Sequence, residues 1–170
     1  MSNGALIRRA IPSDADRISV LTQTIQAAHA AAMPDTFKPA DEHTFAADVI
    51  RALLPQPETV LLVAAHGDDV IGHAYAEVQH VPESPIKFAT SRILIHQLVV
   101  DAAWQRQGIG GHLMAHLRQI AEELRIQTVV LDVWSFNTGA HTVYDRLGFR
   151  DTRYVMHASS SPLNVPRSAV

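Results

Sequence analysis

The sequence predicts a single α/β domain, a mixed sheet with helices on both faces. Three observations predict it. Apolar residues recur with strand and helix periods in the order β-α-α-β-β-β-α-β-α-β. One strongly β-branched run, Ile93–Val100, leads into a glycine-rich turn that opens a helix. The chain has 170 residues, 47% of them hydrophobic and none of them cysteine, so it has the size of one domain and can bury a core without disulfides. The missing cysteines also exclude a thiol nucleophile, thiolate zinc sites and iron–sulfur ligation.

Each element has a local reason. Ala5–Ala10 has the length and pattern of a short strand. Pro12-Ser13-Asp14-Ala15-Asp16 then starts a helix: Ser13 is placed to cap it, and both aspartates favour its N-terminus. Ile18, Leu21, Ile25 and Ala28 follow at helical spacing. Beyond Pro34 and Pro39, Asp41 is a second candidate cap, with Phe45, Val49 and Leu53 on one face of a helix that Pro55 ends. Thr59–Ala65 and Val70–Val81 read as two strands joined by His66-Gly67-Asp68-Asp69. The polar connection Pro82–Ser91 precedes the third strong strand, Ile93–Val100. Leu113, Leu117, Ile120 and Leu124 mark the next helix. Thr128–Trp134 is a continuous apolar run, as expected of a central strand covered on both faces. Ala140, Val143, Tyr144 and Leu147 give the last helix with Gly148 as its C-cap, and Phe149–His157 a final strand. The domain is expected over residues 1–158, with 159–170 a loosely ordered tail.

The charge balance, 14 Lys+Arg against 17 Asp+Glu, offers no excess of basic groups for nucleic acid. The longest apolar run, Val60–Ala65, is far short of the ~20 residues that span a bilayer. The N-terminus has no signal-peptide layout, so a cytoplasmic protein is expected.

The sharpest local signal is Gln105-Arg106-Gln107-Gly108-Ile109-Gly110-Gly111. Backbone N–H groups of such a loop, with the positive end of the helix dipole, form an anion cradle, and Arg106 adds charge at its rim. It is not a P-loop, since no Gly-Lys-Ser/Thr follows. A dinucleotide fingerprint is the alternative: Gly108-Ile109-Gly110 begins G-x-G, and Asp132 lies about twenty residues on. Leu113 stands where its third glycine belongs, however, and Asp132 falls inside a strand.

Gln105-Arg106-Gln107-Gly108-Ile109-Gly110 resembles the Q/R-x-x-G-x-G/A signature of the GNAT superfamily of acyl-CoA-dependent N-acyltransferases. Leu98-x-Val100 is similar to the end of that family's fourth strand. Asn137-x-x-Ala140-x-x-x-Tyr144-x-x-x-Gly148-Phe149 is similar to its other characteristic run, and Ile7-Arg8-Arg9-Ala10 with the helix start after it to its N-terminus. Ala102 departs from the proline common at its position. The resemblance implies a GNAT-type fold and acetyl-CoA as co-substrate. Its pantetheine arm would lie between Ile93–Val100 and Thr128–Trp134, on backbone groups of Leu98, Val99 and Val100. The loop from Arg106 to Gly111 would take the pyrophosphate, Asn137 would contact the arm, and Tyr144 would sit by the thioester sulfur. A homodimer is a further implication.

The implied reaction is direct attack of a primary amine on the acetyl carbonyl. Tyr144 is the candidate acid for the leaving thiolate, since a phenol of pKa about 10 matches a thiol of similar basicity; it also fits the apolar face of its helix. The backbone N–H of Val99 or a neighbour is the candidate oxyanion donor. His96, where many family members carry a carboxylate, is the candidate base. Strand alternation puts it with Leu94, Leu98 and Val100, which also suits a core histidine. Glu77 is the second candidate.

His112 and His116 share a helix face but lack a third ligand, so no metal is expected. Trp134 and Phe136 suit core packing or an acceptor pocket. A catalytically silent acyl-CoA-binding module and, on the dinucleotide reading, an NAD(P)-dependent oxidoreductase are the alternatives. A small-molecule or peptide amine is the expected partner, with no nucleic acid and no membrane.

Overall fold

The computed structural model describes residues 4–156. One five-stranded mixed sheet has the spatial order β1-β2-β3-β4-β5, with β1 Leu6–Arg9, β2 Thr59–His66, β3 Asp69–Val81, β4 Thr90–Val100 and β5 Thr128–Leu131. The first four strands run antiparallel in sequence order, and β5 joins β4 in parallel through α3. The helices are α1 (Ala15–Ala32), α2 (Ala47–Leu53), α3 (Ile109–Glu123) and α4 (Thr138–Arg146).

Side-chain alternation along the strands divides the core in two. Leu61, Val63 and Val99 turn to one face and pack with Ala15, Ile18 and Leu21 of α1 and Ile50 of α2. Leu98 and Val100 turn to the other, where α3 brings Gly110 against them. The apolar stripe Leu113, Met114 and Leu117 of α3 is buried on that side of the sheet. Strand β4 lies close against β3 at Gly72, whose missing Cβ would stand 2.7 Å from the Val99 carbonyl oxygen. Only glycine permits that approach.

Four local expectations are corrected. Asp14, and not Ser13, organises the start of α1: its carboxylate takes Ile11 N–H at 2.8 Å and a two-pronged contact from Arg8 at 2.7 and 3.0 Å. Burial by itself raises this carboxyl, but Arg8 and the Ile11 amide outweigh it and hold it below the usual carboxylate range. Asp41 closes a turn with His43 N–H and the Thr44 hydroxyl instead of capping α2. The helix starts later because Phe45 adopts a left-handed φ of 49° and interrupts the helical path. Strand β5 stops at Leu131 and is an edge, half-buried instead of covered on both faces. The expected final strand does not form over 149–156: these residues pair with no strand, and Tyr154, Val155 and Met156 are exposed. An alternating apolar pattern does not by itself supply the backbone pairing that makes a strand. His157 and the expected tail, 159–170, lie outside the described residues.

The chain forms two compact units, one of residues 1–136 holding the sheet with α1 to α3, the other beginning at Asn137 and holding α4.

Candidate active site

The site begins with an interruption of β4. Tyr75 of β3 stands opposite Gln97, while its neighbour Ala76 stands opposite Ile95, so His96 is an extra, unopposed residue. Such a bulge reverses the alternation beyond it. His96 therefore shares the α1 face with Leu94, Gln97 and Val99, while Leu98 and Val100 move to the α3 face. This corrects the grouping of His96 with Leu98 and Val100. His96 is exposed and not a core histidine.

Pairing between β4 and β5 ends at the same place. Arg92 to Ile95 are matched with Thr128 to Leu131, and the two strands then part. Gln97–Val100 thus has a sheet neighbour on one side only. Asp101 N–H donates to Ile71 O at 2.9 Å and Val99 O abuts Gly72, so these groups turn toward β3. Alternation sends the N–H and C=O of Leu98 and Val100 the opposite way, into the opening. The Val99 N–H belongs to the ladder with β3, which narrows the candidate donors to its two neighbours. The Val100 oxygen accepts from Gln105 Nε2 at 3.1 Å.

At the foot of the opening the chain turns into α3. Asp101 caps a short 3-10 turn through Ala103 N–H at 2.9 Å and pairs with Arg17 of α1, whose Nε also donates to Val70 O at 3.1 Å. The Ala103 amide, followed by Arg17, keeps the Asp101 carboxyl below its usual range. Arg106 (φ 60°) and Gly108 (φ 83°) take left-handed conformations, and Gln107 Nε2 donates to Ala103 O at 3.2 Å. Helix α3 then starts with no capping side chain, so the first-turn amides of Ile109, Gly110 and Gly111 remain for an outside acceptor. A Cβ at Gly108 or Gly111 would project into open space. This is a cradle that fits a phosphate group, with the exposed Arg106 beside it.

On the α1 face the bulge gathers polar and aromatic groups. His96 stacks on Tyr75 with ring centres 4.8 Å apart, and its Nε2 lies 3.5 Å from Glu77 Oε2. Gln79 Nε2 donates to the same carboxylate at 3.1 Å, and Arg92 Nε donates to Gln79 Oε1 at 3.0 Å. Both proposed bases are thus adjacent, the carboxylate at one end of the imidazole. Burial, then the Glu77 charge, pushes the Tyr75 phenol up.

Beneath them is a network not anticipated from the sequence. His73, fully buried, donates from Nε2 to Gln97 Oε1 at 3.0 Å, and the Thr22 hydroxyl of α1 lies 3.1 Å from that oxygen and 3.0 Å from Ile18 O. Burial drives the imidazole pKa down to about 4, against a smaller upward effect from Gln97. It is neutral at pH 7, and its Nδ1 has no partner among the described residues. A lone polar residue between Gly72 and Ala74 in a buried strand was the available signal.

In the second unit, Asn137 Oδ1 caps α4 by accepting from Ala140 N–H at 3.1 Å. Gly148 (φ 86°) ends the helix, with its N–H on Asp145 O and that of Phe149 on Tyr144 O, both at 3.0 Å. Tyr144 packs edge-on against Phe149, and burial raises its phenol above the usual value, favouring the protonated form at neutral pH. His112 and His116 lie on the exposed side of α3, where His116 Nδ1 donates to His112 O at 3.1 Å. Among the described residues no group of three or more metal-ligating side chains converges, and no helix is long and apolar enough to cross a membrane.

The parted strand pair ending on a glycine cradle is the candidate site, and the comparisons give the family. Residues 23–149 match the acetyltransferase (GNAT) family, and the chain belongs to that family. It is 30% identical over 98 residues to the L-amino acid N-acetyltransferase AaaT of Escherichia coli K12, covering 57% of each chain. To the ribosomal protein bS18–alanine N-acetyltransferase of the same organism it is 32% identical over 69 residues, 38% of this chain and 47% of that one. The match thus spans about half the length of these relatives. A mutant form of the BH1408 protein from Bacillus halodurans has the same fold, with TM-score 0.87, 22% identity and 91% and 98% of the two chains covered. So does an aminoglycoside acetyltransferase from an uncultured soil sample, with TM-score 0.63, 22% identity and 94% and 97% covered.

Proposed function

We propose that this chain transfers an acetyl group from acetyl-CoA to the primary amine of a small molecule or peptide, in one step within a ternary complex. The observation that carries the reading is the open edge of β4, which supplies Leu98 and Val100 backbone groups in line with the α3 cradle. A pantetheine arm carries amides that pair with such an edge as a peptide strand does. Gly108 to Gly111 and Arg106 take the pyrophosphate, with Gln105 and Gln107 bracing the loop. Asn137 contacts the arm through its amide nitrogen, since its oxygen serves as the helix cap.

Acetyl-CoA supplies the thioester. His96, with Glu77 holding its Nε2 side, takes the proton that frees the amine lone pair. The nitrogen bonds to the carbonyl carbon, and the N–H of Leu98 or Val100 holds the charge developing on oxygen. The C–S bond breaks as Tyr144 donates its proton to sulfur, and the second proton that the nitrogen sheds on becoming an amide restores the phenol. That role rests on its motif and on its half-buried phenol, held protonated at neutral pH. The relatives' names, an amino acid and a ribosomal-protein alanine as acceptors, support amines of either size.

Thermal melts with acetyl-CoA, CoA and NAD(P), followed by thiol release with an amine panel, test this. The reading expects CoA species alone to raise the midpoint and an amine to release thiol. A rise with NAD(P) only would overturn it, and CoA binding without turnover would indicate a silent binding module.

A further inference from the structure

We infer that Arg17 of α1 is a positioning residue for the glycine cradle and acts on it through Asp101; this rests on the acyl-transfer reading and says how its co-substrate site is held. The start of α1 carries three charged residues, Asp14, Asp16 and Arg17. Asp14 is held by Arg8, and Asp16 by Arg51 at 2.6 Å. Both aspartates suit the positive end of the helix. Arg17 does not: a cation in the first turn opposes the helix dipole, and both neighbouring carboxylates have partners of their own. Its guanidinium instead reaches Asp101, 84 positions along the chain, while its Nε donates to Val70 O at 3.1 Å.

These two contacts fasten the point where β4 becomes the turn. Val70 O receives Arg17, and the next carbonyl, Ile71 O, receives the Asp101 N–H at 2.9 Å. Asp101 uses its carboxylate oxygens separately: Oδ2 faces Arg17, and Oδ1 accepts Ala103 N–H at 2.9 Å. Its carbonyl oxygen accepts Trp104 N–H at 2.8 Å, and Ala103 O holds Gln107 at 3.2 Å, one residue before Gly108. A chain of contacts thus runs from α1 to the first amides of α3. It has a strained position to hold, since Arg106 is kept at φ 60°. A guanidinium presents its donors in one rigid plane, so a single side chain sets Val70 and Asp101 relative to each other; an ammonium is a point charge and does not fix both. The side chains of Arg17 and Asp101 are 42% and 25% exposed, and ion pairs this open contribute little to global stability. The effect of this one falls on the geometry of the turn.

The test measures CoA binding by calorimetry, and kinetics with an amine that releases thiol, for Arg17→Met, Arg17→Lys, Asp101→Asn and the double variant of Arg17→Met with Asp101→Asn. Arg17→Met, which keeps an apolar stem, is expected to raise the Kd of CoA and the KM of acetyl-CoA roughly tenfold with kcat changed by less than about twofold. The melting midpoint of the unliganded protein falls by no more than about 4 °C. Arg17→Lys recovers part of the lost affinity. Asp101→Asn, which keeps an oxygen for Ala103 N–H, gives a similar rise, and the double variant is no worse than the worse single one. An unchanged Kd in Arg17→Met, or losses that multiply in the double variant, overturns the inference while leaving acyl transfer intact. So does a Kd that rises only together with a large fall in the melting midpoint, which marks general loosening. Should no amine turn over, the Kd values still decide. If the wild-type protein binds no CoA species, the inference and the acyl-transfer reading fall together.

Discussion

The two halves of β4 are alike in composition and differ in neighbours. Arg92–Ile95 is paired on both sides, with β3 and with β5, and its Ile93 and Ile95 are buried. Gln97–Val100 is just as apolar and continues the same strand, but it has β3 on one side and a gap on the other. His96 divides them. In the first half every backbone group has its partner in the sheet, and the half contributes stability. In the second, the outward groups of Leu98 and Val100 have none in the sheet, and an unpaired strand edge is a binding site for any ligand with amides of its own. What separates framework from site here is one inserted residue and the point where a parallel neighbour stops.

The strongest way to break this comparison is to delete His96. The bulge disappears and the ladder with β3 closes in register, Gln97–Val100 keeping their faces, so β4 loses the irregularity at which it parts from β5. Acetyl transfer falls below detection while stability, read by denaturant unfolding, changes by no more than about 1–2 kcal/mol. Replacing Tyr144 with Phe leaves β4 untouched and lowers kcat about a hundredfold or more with the KM for acetyl-CoA little changed. If kcat is unchanged, Tyr144 only packs.

Stability against pH examines the joint between the halves, since His73 holds Gln97. Its folded pKa is about 4 and its unfolded value about 6.5. Between these the unfolded chain binds more protons, so stability falls as pH drops through this window, by up to about 3 kcal/mol. His73→Gln removes most of that slope while keeping a polar group on Gln97. The smallest effect belongs to His96→Gln, which keeps the bulge and loses only the imidazole. It lowers kcat roughly tenfold. Full kcat would leave Glu77 as the base.

Much of this was legible in the sequence. The strand–glycine turn–helix unit and the order of elements follow from periodicity and from Gly108 to Gly111. The bulge is invisible there, because Ile93–Val100 is apolar on both faces and an extra residue shows only against a partner strand. For the same reason His96 was grouped with Leu98 and Val100. The run Thr128–Trp134 looked central, since apolar content reports burial and not which edge is paired. Phe149–Met156 has a strand's residues and forms no strand. His73 could have been found as a polar residue inside an otherwise buried strand, although its partners Gln97 and Thr22 are distant in sequence.

The central claim is that the unpaired half of β4 and the first turn of α3 receive the acyl-CoA. Residue-resolved amide hydrogen exchange with and without CoA tests it most directly. The account predicts new protection at Leu98, Val100 and Ile109–Gly111, with Ile93–Ile95 already protected and unchanged. Protection spread evenly over β4, or confined to residues outside the opening, would contradict it.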